Sequence, residues 1–193
     1  MTIIGHSAVS LIIWKLGIKN EAIPSRRHYY FLPILIGAMP DIDVTIHSLE
    51  HRGASHSVFV SLALSIVALT LLRTFSWPFS VKTALFVILC AVSHPLFDML
   101  TKSNPVHLFW PYGEKDWHSS LRYFPIAYYS RSVGGFLGIL KMPYTWQCVF
   151  FELIFCGLLY QFFLIKSAKS ILVNAITTIM FLVYGILTYN DWS

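Results

Sequence analysis

The sequence predicts an all-α, polytopic membrane protein, a bundle of about four to six membrane helices. Three observations predict it. Only 12% of the 193 residues are charged, against about 25% in soluble domains. Hydrophobic residues make up 56% of the chain, and the mean hydropathy is +0.64. Finally, the apolar residues gather in long runs. An ordinary soluble domain, a disordered chain and a fibrous rod are therefore excluded.

The apolar runs predict the individual helices. Crossing a bilayer core of about 30 Å takes roughly 20 helical residues. Two shorter runs, 3–17 and 29–40, predict further crossings or short, tilted or partly buried helices. Four runs reach or approach the full length: 57–72, 83–100, 146–165 and 170–189.

The sequence predicts a single domain, because it contains neither an internal repeat nor a low-complexity tract. This domain covers residues 1–193. Its polar motifs lie in the predicted hydrolase core, 1–126, and its last two membrane helices are predicted in 146–189. If all six runs cross, the positive-inside rule places the short basic loops in the cytoplasm. The amino terminus and the two long loops, 41–56 and 101–145, then lie on the non-cytoplasmic face.

Charge and cysteine usage exclude other classes. The net charge is +5, but no block of five like charges exists, so no nucleic-acid partner is expected. Cys90, Cys148 and Cys156 all lie in apolar stretches. Three widely spaced cysteines predict neither a disulfide framework nor a metal pair, so we interpret them as packing residues.

Ionisable residues beside membrane helices are costly and therefore mark candidate functional sites. In this chain they occupy the start of the first run, the end of the second, the start of the third and the end of the fourth. If all six runs cross, these four places share one membrane face. We call the seven residues the His/Asp cluster: His6, Asp41, Asp43, His51, His56, His94 and Asp98.

These residue types predict a metal site at the membrane interface. Imidazole and carboxylate are ligands for zinc, manganese and iron. His94 and Asp98 are four residues apart, which places them on one helix face, although Pro95 could kink the helix there. Seven residues suit two or three ions, or one ion whose histidines are oriented by carboxylates. Of Asp41 and Asp43, one is expected to bind metal while the other orients a ligand or acts as base.

Neighbouring residues complete the predicted site. Pro40 can end the second run, Gly53 permits a tight turn, and Ser55 is a candidate cap for the third helix. Arg52 is expected to hold a phosphate or stabilise an oxyanion. Three basic residues in the next long loop are expected to attract an anionic substrate: Lys102, Lys115 and Arg122.

The motifs resemble those of a known family. They are GH at 5–6, PDID at 40–43, HRGxxHS at 51–57, SHxxxDxxT at 93–101 and LFWP at 108–111. Over residues 1–126 the chain resembles inner-membrane metal-dependent hydrolases, some of them regulated by the bacterial DNA-damage response. It is more distantly similar to zinc-dependent phospholipase C and P1 nuclease, which share a helical fold with a multi-zinc site.

The resemblance implies a location in the bacterial inner membrane. It also implies metal binding at His6, Asp41 or Asp43, His51 or His56, His94 and Asp98. The chain departs from the family pattern at Ser55, where threonine is usual, and at His107, which is extra. The glutamate expected soon after an Arg-x-Pro-Ile segment is here Glu152, inside a predicted span.

We therefore expect a membrane-bound hydrolase that acts on a phosphoester, with a lipid as one candidate substrate, through a metal-activated water. Zinc is the expected cofactor, with manganese as the alternative; Asp43 would accept the proton and Arg52 would neutralise charge. A metal-ion or proton transporter is the alternative function, although transport sites favour the bilayer midplane. A partner-binding membrane protein without an active site is a third.

Overall fold

The computed structural model describes residues 1–20, 23, 27–46, 50–74, 80–101, 105–113, 116–117, 124, 143–165, 172 and 175–179. Within these ranges every regular element is helical, as the sequence predicts. Five α-helices have defined bounds there: α1 (Ile3–Lys19), α2 (Phe31–Ala38), α3 (Val58–Thr74), α4 (Val81–Asp98) and α5 (Pro143–Leu164). Short 3₁₀ helices cover Arg27–Tyr30, Met39–Thr45 and Ala54–His56.

The helices follow the predicted runs, with one clear difference in length. α2 has eight residues, about 12 Å at 1.5 Å per residue, so by itself it is too short to cross a bilayer. Two helices in the described ranges are long and apolar enough to do so, Val81–Asp98 and Thr145–Leu164. A total of four to six crossings stays a prediction, and the run 170–189 lies mostly outside the described residues.

α3 has the side-chain distribution of a helix that faces lipid. Several of its large apolar residues point outward, among them Ile66 and Leu71, whereas Leu72 is buried in the core. Its buried face carries Ser61, Ser65 and Ala68, and each serine hydroxyl donates to the carbonyl four residues earlier. Small residues at a helix contact let two membrane helices approach closely. This face packs against α4, which places the start of α3 beside the end of α4.

α1 lies at the centre of the described structure, in contact with α2, α4 and α5. Its Trp14 is fully buried in the main core cluster, together with Val87 and Cys90 of α4. Cys90, Cys148 and Cys156 are all buried and form no disulfide, as expected of packing residues. α1 begins at Ile3 because the Thr2 hydroxyl accepts a hydrogen bond from the Gly5 amide and caps the first turn.

α4 continues through Pro95 and ends at Asp98. The proline therefore does not break the helix, and the predicted four-residue spacing of His94 and Asp98 is retained. The imidazole and the carboxylate point toward the same cluster, where His94 Nε2 lies 3.4 Å from Asp98 Oδ2.

Gly37 allows α2 to pack against α1. A Cβ atom there would lie 2.5 Å from Ser10 Oγ and 2.8 Å from the His6 carbonyl oxygen. Gly37→Ala should therefore destabilise the protein by about 1–3 kcal/mol, the usual cost of overpacking. Thermal unfolding in detergent would measure this as a lower Tm. The matched control is Gly157→Ala, because a Cβ at Gly157 meets nothing within 4 Å; an equal loss in both variants would contradict the prediction.

Candidate metal centre

The structure brings all seven residues of the His/Asp cluster together. α1 supplies His6, and the end of α4 supplies His94 and Asp98. The 3₁₀ helix Met39–Thr45 supplies Asp41 and Asp43. The two remaining histidines come from the turn before α3. Six of the seven side chains are at most 4% exposed. The seventh, His51, is 27% exposed, so the cluster reaches the protein surface at that residue.

The ligand-type atoms form two groups that share one carboxylate. The first group contains His6, Asp41, His94 and Asp98, and the second contains Asp41, His51 and His56. In each group the candidate atoms lie within 4.8 Å of one another. The cluster could therefore hold a metal ion, and Asp41 belongs to both groups.

Four buried atoms of the cluster make no hydrogen bond within the described residues: Asp41 Oδ2, His56 Nε2, His94 Nε2 and Asp98 Oδ2. Leaving such an atom unsatisfied costs about 1–3 kcal/mol. Asp98 Oδ2 lies 3.2 Å from His56 Nε2 and 3.4 Å from His94 Nε2. His56 Nε2, His94 Nε2 and Asp98 Oδ2 therefore face one another without hydrogen bonds, and Asp41 approaches the two nitrogens through Oδ1, at 3.5 and 3.6 Å. This is the arrangement expected of ligands around a cation.

Neighbouring groups set the orientation of two buried imidazoles, those of His94 and His56. His94 Nδ1 lies 2.7 Å from the Gly37 carbonyl oxygen, which can only accept, so Nδ1 carries a hydrogen. His56 Nδ1 lies 3.0 Å from Ser55 Oγ and 3.3 Å from Asp43 Oδ2. Both rings therefore direct Nε2 into the cluster. Metal-binding histidines are commonly held in this way.

Asp43 supports three neighbours instead of joining either group. Its Oδ1 lies 3.0 Å from His51 Nδ1, and its Oδ2 accepts a hydrogen bond of 2.6 Å from the Ser55 hydroxyl. Oδ2 also contacts the His56 imidazole. Asp41 thus belongs to the groups that could hold a metal ion, whereas Asp43 contacts His51, Ser55 and His56 from outside them; the two roles predicted for the pair stay a prediction.

Asp98 is held by cationic groups on its other oxygen. Oδ1 accepts a 3.0 Å hydrogen bond from the Arg52 guanidinium and lies 2.6 Å from the Met1 amino group. His6 Nε2 is 3.1 Å from the same atom, and its ring stacks on His94 with centroids 3.6 Å apart. Arg52 also donates to the Asp98 carbonyl. In this structure Arg52 therefore orients a carboxylate.

The charges of the cluster are mutually compensated. Burial alone would raise the pKa of Asp41, but the charge of His94 and contacts with His56 hold that pKa well below its usual value. Contacts with His51, His56 and Ser55 likewise lower the pKa of Asp43. Burial lowers the pKa of His56, yet its three aspartate neighbours raise it well above the usual value. The carboxylates therefore stay ionised and make the pocket attractive to cations.

One local prediction was wrong: Ser57, not Ser55, caps α3, because its hydroxyl accepts from the Val60 amide. Gly53 lies in the turn where it was expected, and a Cβ atom there would lie 3.0 Å from the Glu50 carbonyl oxygen. The left-handed residue of the turn is Arg52, which has a φ of 68°. A left-handed conformation at a non-glycine residue is strained, and the bonds from Arg52 to Asp98 offset that strain.

Other predicted residues lie apart from the cluster or outside the described ranges. His107 pairs with Asp116 at 2.8 Å near the surface, consistent with a non-ligand role. Glu152 faces Thr2 at the start of α1. The basic residues Lys102, Lys115 and Arg122 lie outside the described residues. Sequence reasoning missed the Gly37 carbonyl, since main-chain acceptors leave no residue-type signal.

Comparison with known proteins gives one finding. No curated protein and no solved structure matches the chain. A family model described as YdjM inner membrane protein matches residues 1–190. That description states a location and no reaction, and it does not extend to phospholipase C or P1 nuclease. With its two long apolar helices and its buried His/Asp cluster, the chain belongs to the YdjM family of inner membrane proteins.

Proposed function

We propose that this protein is a metal-dependent hydrolase of the inner membrane that cleaves a phosphoester. The observation that carries the proposal is the close approach of three buried atoms that make no hydrogen bond within the described residues, His56 Nε2, His94 Nε2 and Asp98 Oδ2, with the Asp41 carboxylate beside them. Two groups of ligand-type residues sharing Asp41 suit a pair of divalent ions. Zinc fits the histidine and carboxylate donors best, and manganese is the alternative.

A divalent cation held there would supply a Lewis acid for a phosphoryl oxygen and acidify a water molecule. The residues of the chain have separate roles in this proposal. Asp41 joins the two positions, and Asp43 keeps His51 and His56 in orientation. Arg52 holds Asp98 so that Oδ2 faces the imidazoles.

The surroundings of the opening favour a membrane lipid as the substrate. His51 is the exposed member of the cluster, and the 3₁₀ helix beside it turns apolar side chains outward. Met39, Ile42 and Ile46 are each more than 40% exposed, while the aspartates between them point inward. Exposed apolar residues next to lipid-facing helices are expected in the bilayer interface, where the phosphoester of a lipid lies.

The position of the cluster favours hydrolysis over transport. Its residues lie at the start of α1, before the start of α3 and at the end of α4. A transport site is expected near the midplane, between discontinuous helices. We assign the site to the non-cytoplasmic face, as the basic loops predict.

The first test is metal content. His94→Ala and Asp98→Ala each remove a donor from the first group, so each should lower zinc occupancy at least about tenfold. Elemental analysis of detergent-purified protein, before and after dialysis against a chelator, measures this. His107→Ala is the matched control, because it removes a surface imidazole that pairs with Asp116. A wild-type protein without stoichiometric divalent metal would overturn the proposal.

The second test concerns Arg52. Lysine keeps the charge but loses the two-point contact with Asp98. Arg52→Lys should therefore lower kcat/KM for a phosphodiester by about 10–100-fold, as other losses of ligand support do. Arg73→Lys, an exposed change at the end of α3, controls for the substitution. Equal activity in both variants would contradict the role of Arg52.

The third test concerns the substrate. If the exposed apolar residues admit lipid, kcat/KM should be higher for a phospholipid in vesicles than for a soluble phosphodiester. Ile46→Asp should lower the ratio of the two values about tenfold, because a carboxylate there removes an apolar contact and is repelled by the lipid phosphates. Val81→Asp, at the exposed start of α4, is the matched control. A preference for the soluble substrate in wild type would reject the lipid assignment while leaving the hydrolase proposal intact.

A further inference from the structure

Glu152 is a buried carboxylic acid in a helix that contributes nothing to the His/Asp cluster. It lies in the middle of α5, which spans Pro143–Leu164 and is long and apolar enough to cross the membrane. Its side chain is fully buried. An ionisable residue in such a helix is costly and needs a partner. The partner is the beginning of α1.

Both carboxyl oxygens of Glu152 contact Thr2. Oε1 accepts a 2.7 Å hydrogen bond from the Thr2 amide, and Oε2 accepts a short one from the Thr2 hydroxyl. The same hydroxyl accepts from the Gly5 amide, 3.2 Å away, and so caps α1. Glu152 therefore binds the residue at which α1 begins.

Gly5 makes the close approach of these helices possible. A Cβ atom at Gly5 would lie 2.3 Å from Glu152 Oε2 and 2.8 Å from its carboxyl carbon. The next residue is His6, whose amide donates to the Thr2 carbonyl. The position of His6 along and around the helix axis thus follows from the position of Thr2. His6 Nε2 in turn contacts Asp98.

We propose that Glu152 is a positioning residue for the candidate metal centre: by holding Thr2, it fixes the start of α1 and so places His6 in the first group. The inference rests on the proposed function, because it assumes that the first group binds a cation. Apolar contacts between α1 and α5, such as those of Phe151 and Cys156, could hold the two helices together. Those contacts are apolar and not directional, whereas the two bonds from Glu152 to Thr2, with the contact of the Met1 amino group and Asp98, hold the residues at which α1 begins.

The experiment measures the zinc affinity of the detergent-purified full chain by competition with a chromogenic chelator. Glu152→Leu removes both acceptors and keeps the helix apolar, so it should weaken zinc binding by about 10–100-fold, as loss of ligand support does elsewhere. Glu152→Gln keeps an acceptor for the Thr2 amide and should stay within about threefold of wild type. The visible spectrum of bound Co²⁺ should change in the leucine variant and be retained in the glutamine variant.

Phe155→Leu is the matched control on the same helix. Phe155 packs against Phe124 and Phe97, so its truncation should lower Tm through lost packing while zinc affinity and the Co²⁺ spectrum stay unchanged. Equal losses of affinity in Phe155→Leu and Glu152→Leu would overturn the proposal. So would a Glu152→Leu variant that binds zinc as tightly as wild type.

A second pair of variants covers the case in which Glu152→Leu does not fold. Thr2→Val removes the hydroxyl at nearly constant volume and should weaken zinc binding, whereas Thr2→Ser keeps the hydroxyl and should retain it. Equal affinities of the two variants would contradict the proposal.

Amide hydrogen exchange separates this inference from the proposed function. In metal-free protein, Glu152→Leu should speed exchange at Gly5 and His6 more than Phe155→Leu does, because the start of α1 loses its anchor. If wild type binds no zinc, the hydrolase proposal fails while the exchange data still decide whether Glu152 holds α1. If zinc binds but neither exchange nor affinity responds to Glu152→Leu, the positioning role fails alone.

Discussion

Three buried aspartates lie in a chain of which only 12% is charged, and compensation of their negative charge is the constraint on which the site depends. Asp98 is compensated on one oxygen by Arg52 and the Met1 amino group, and its other oxygen faces two imidazoles. An ionised carboxylate in apolar surroundings is stable only with such partners. Separate helices must therefore meet at one place, and that requirement determines how α1, α3 and α4 are arranged at this end.

Much of the architecture and of the cluster could be predicted from the sequence. Long apolar runs mark helices whatever their partners are, and polar residues in such a chain are conspicuous because they are rare. His94 and Asp98 could be paired from their spacing alone, since helix geometry fixes their relation. The prediction that all four polar segments share one membrane face assumed that all six apolar runs cross. The segments do meet in the structure, even though α2 by itself is too short to cross.

The remaining features depend on contacts between distant segments. Asp41 and Asp43 are the same residue type on either side of Ile42, so residue type does not distinguish them; the difference arises from Ser55 and His51, which contact Asp43 at 2.6 and 3.0 Å. Ser55 and Ser57 are similarly equivalent by residue type, and only the start of α3 decides which one caps it. The partner of Glu152 is 150 residues away, and local pattern carries no information about such a pair.

α3 turns large apolar residues outward and small residues toward α4, and this distribution limits which substitutions each position can accept. Outward positions such as Ile66 require only an apolar side chain, so leucine, valine and phenylalanine should be interchangeable there. Inward positions such as Ser61 and Ser65 require smallness, since a bulkier group would push α3 away from α4. We therefore expect the outward positions of α3 to vary in side-chain shape while staying apolar, and its inward positions to vary in polarity while staying small.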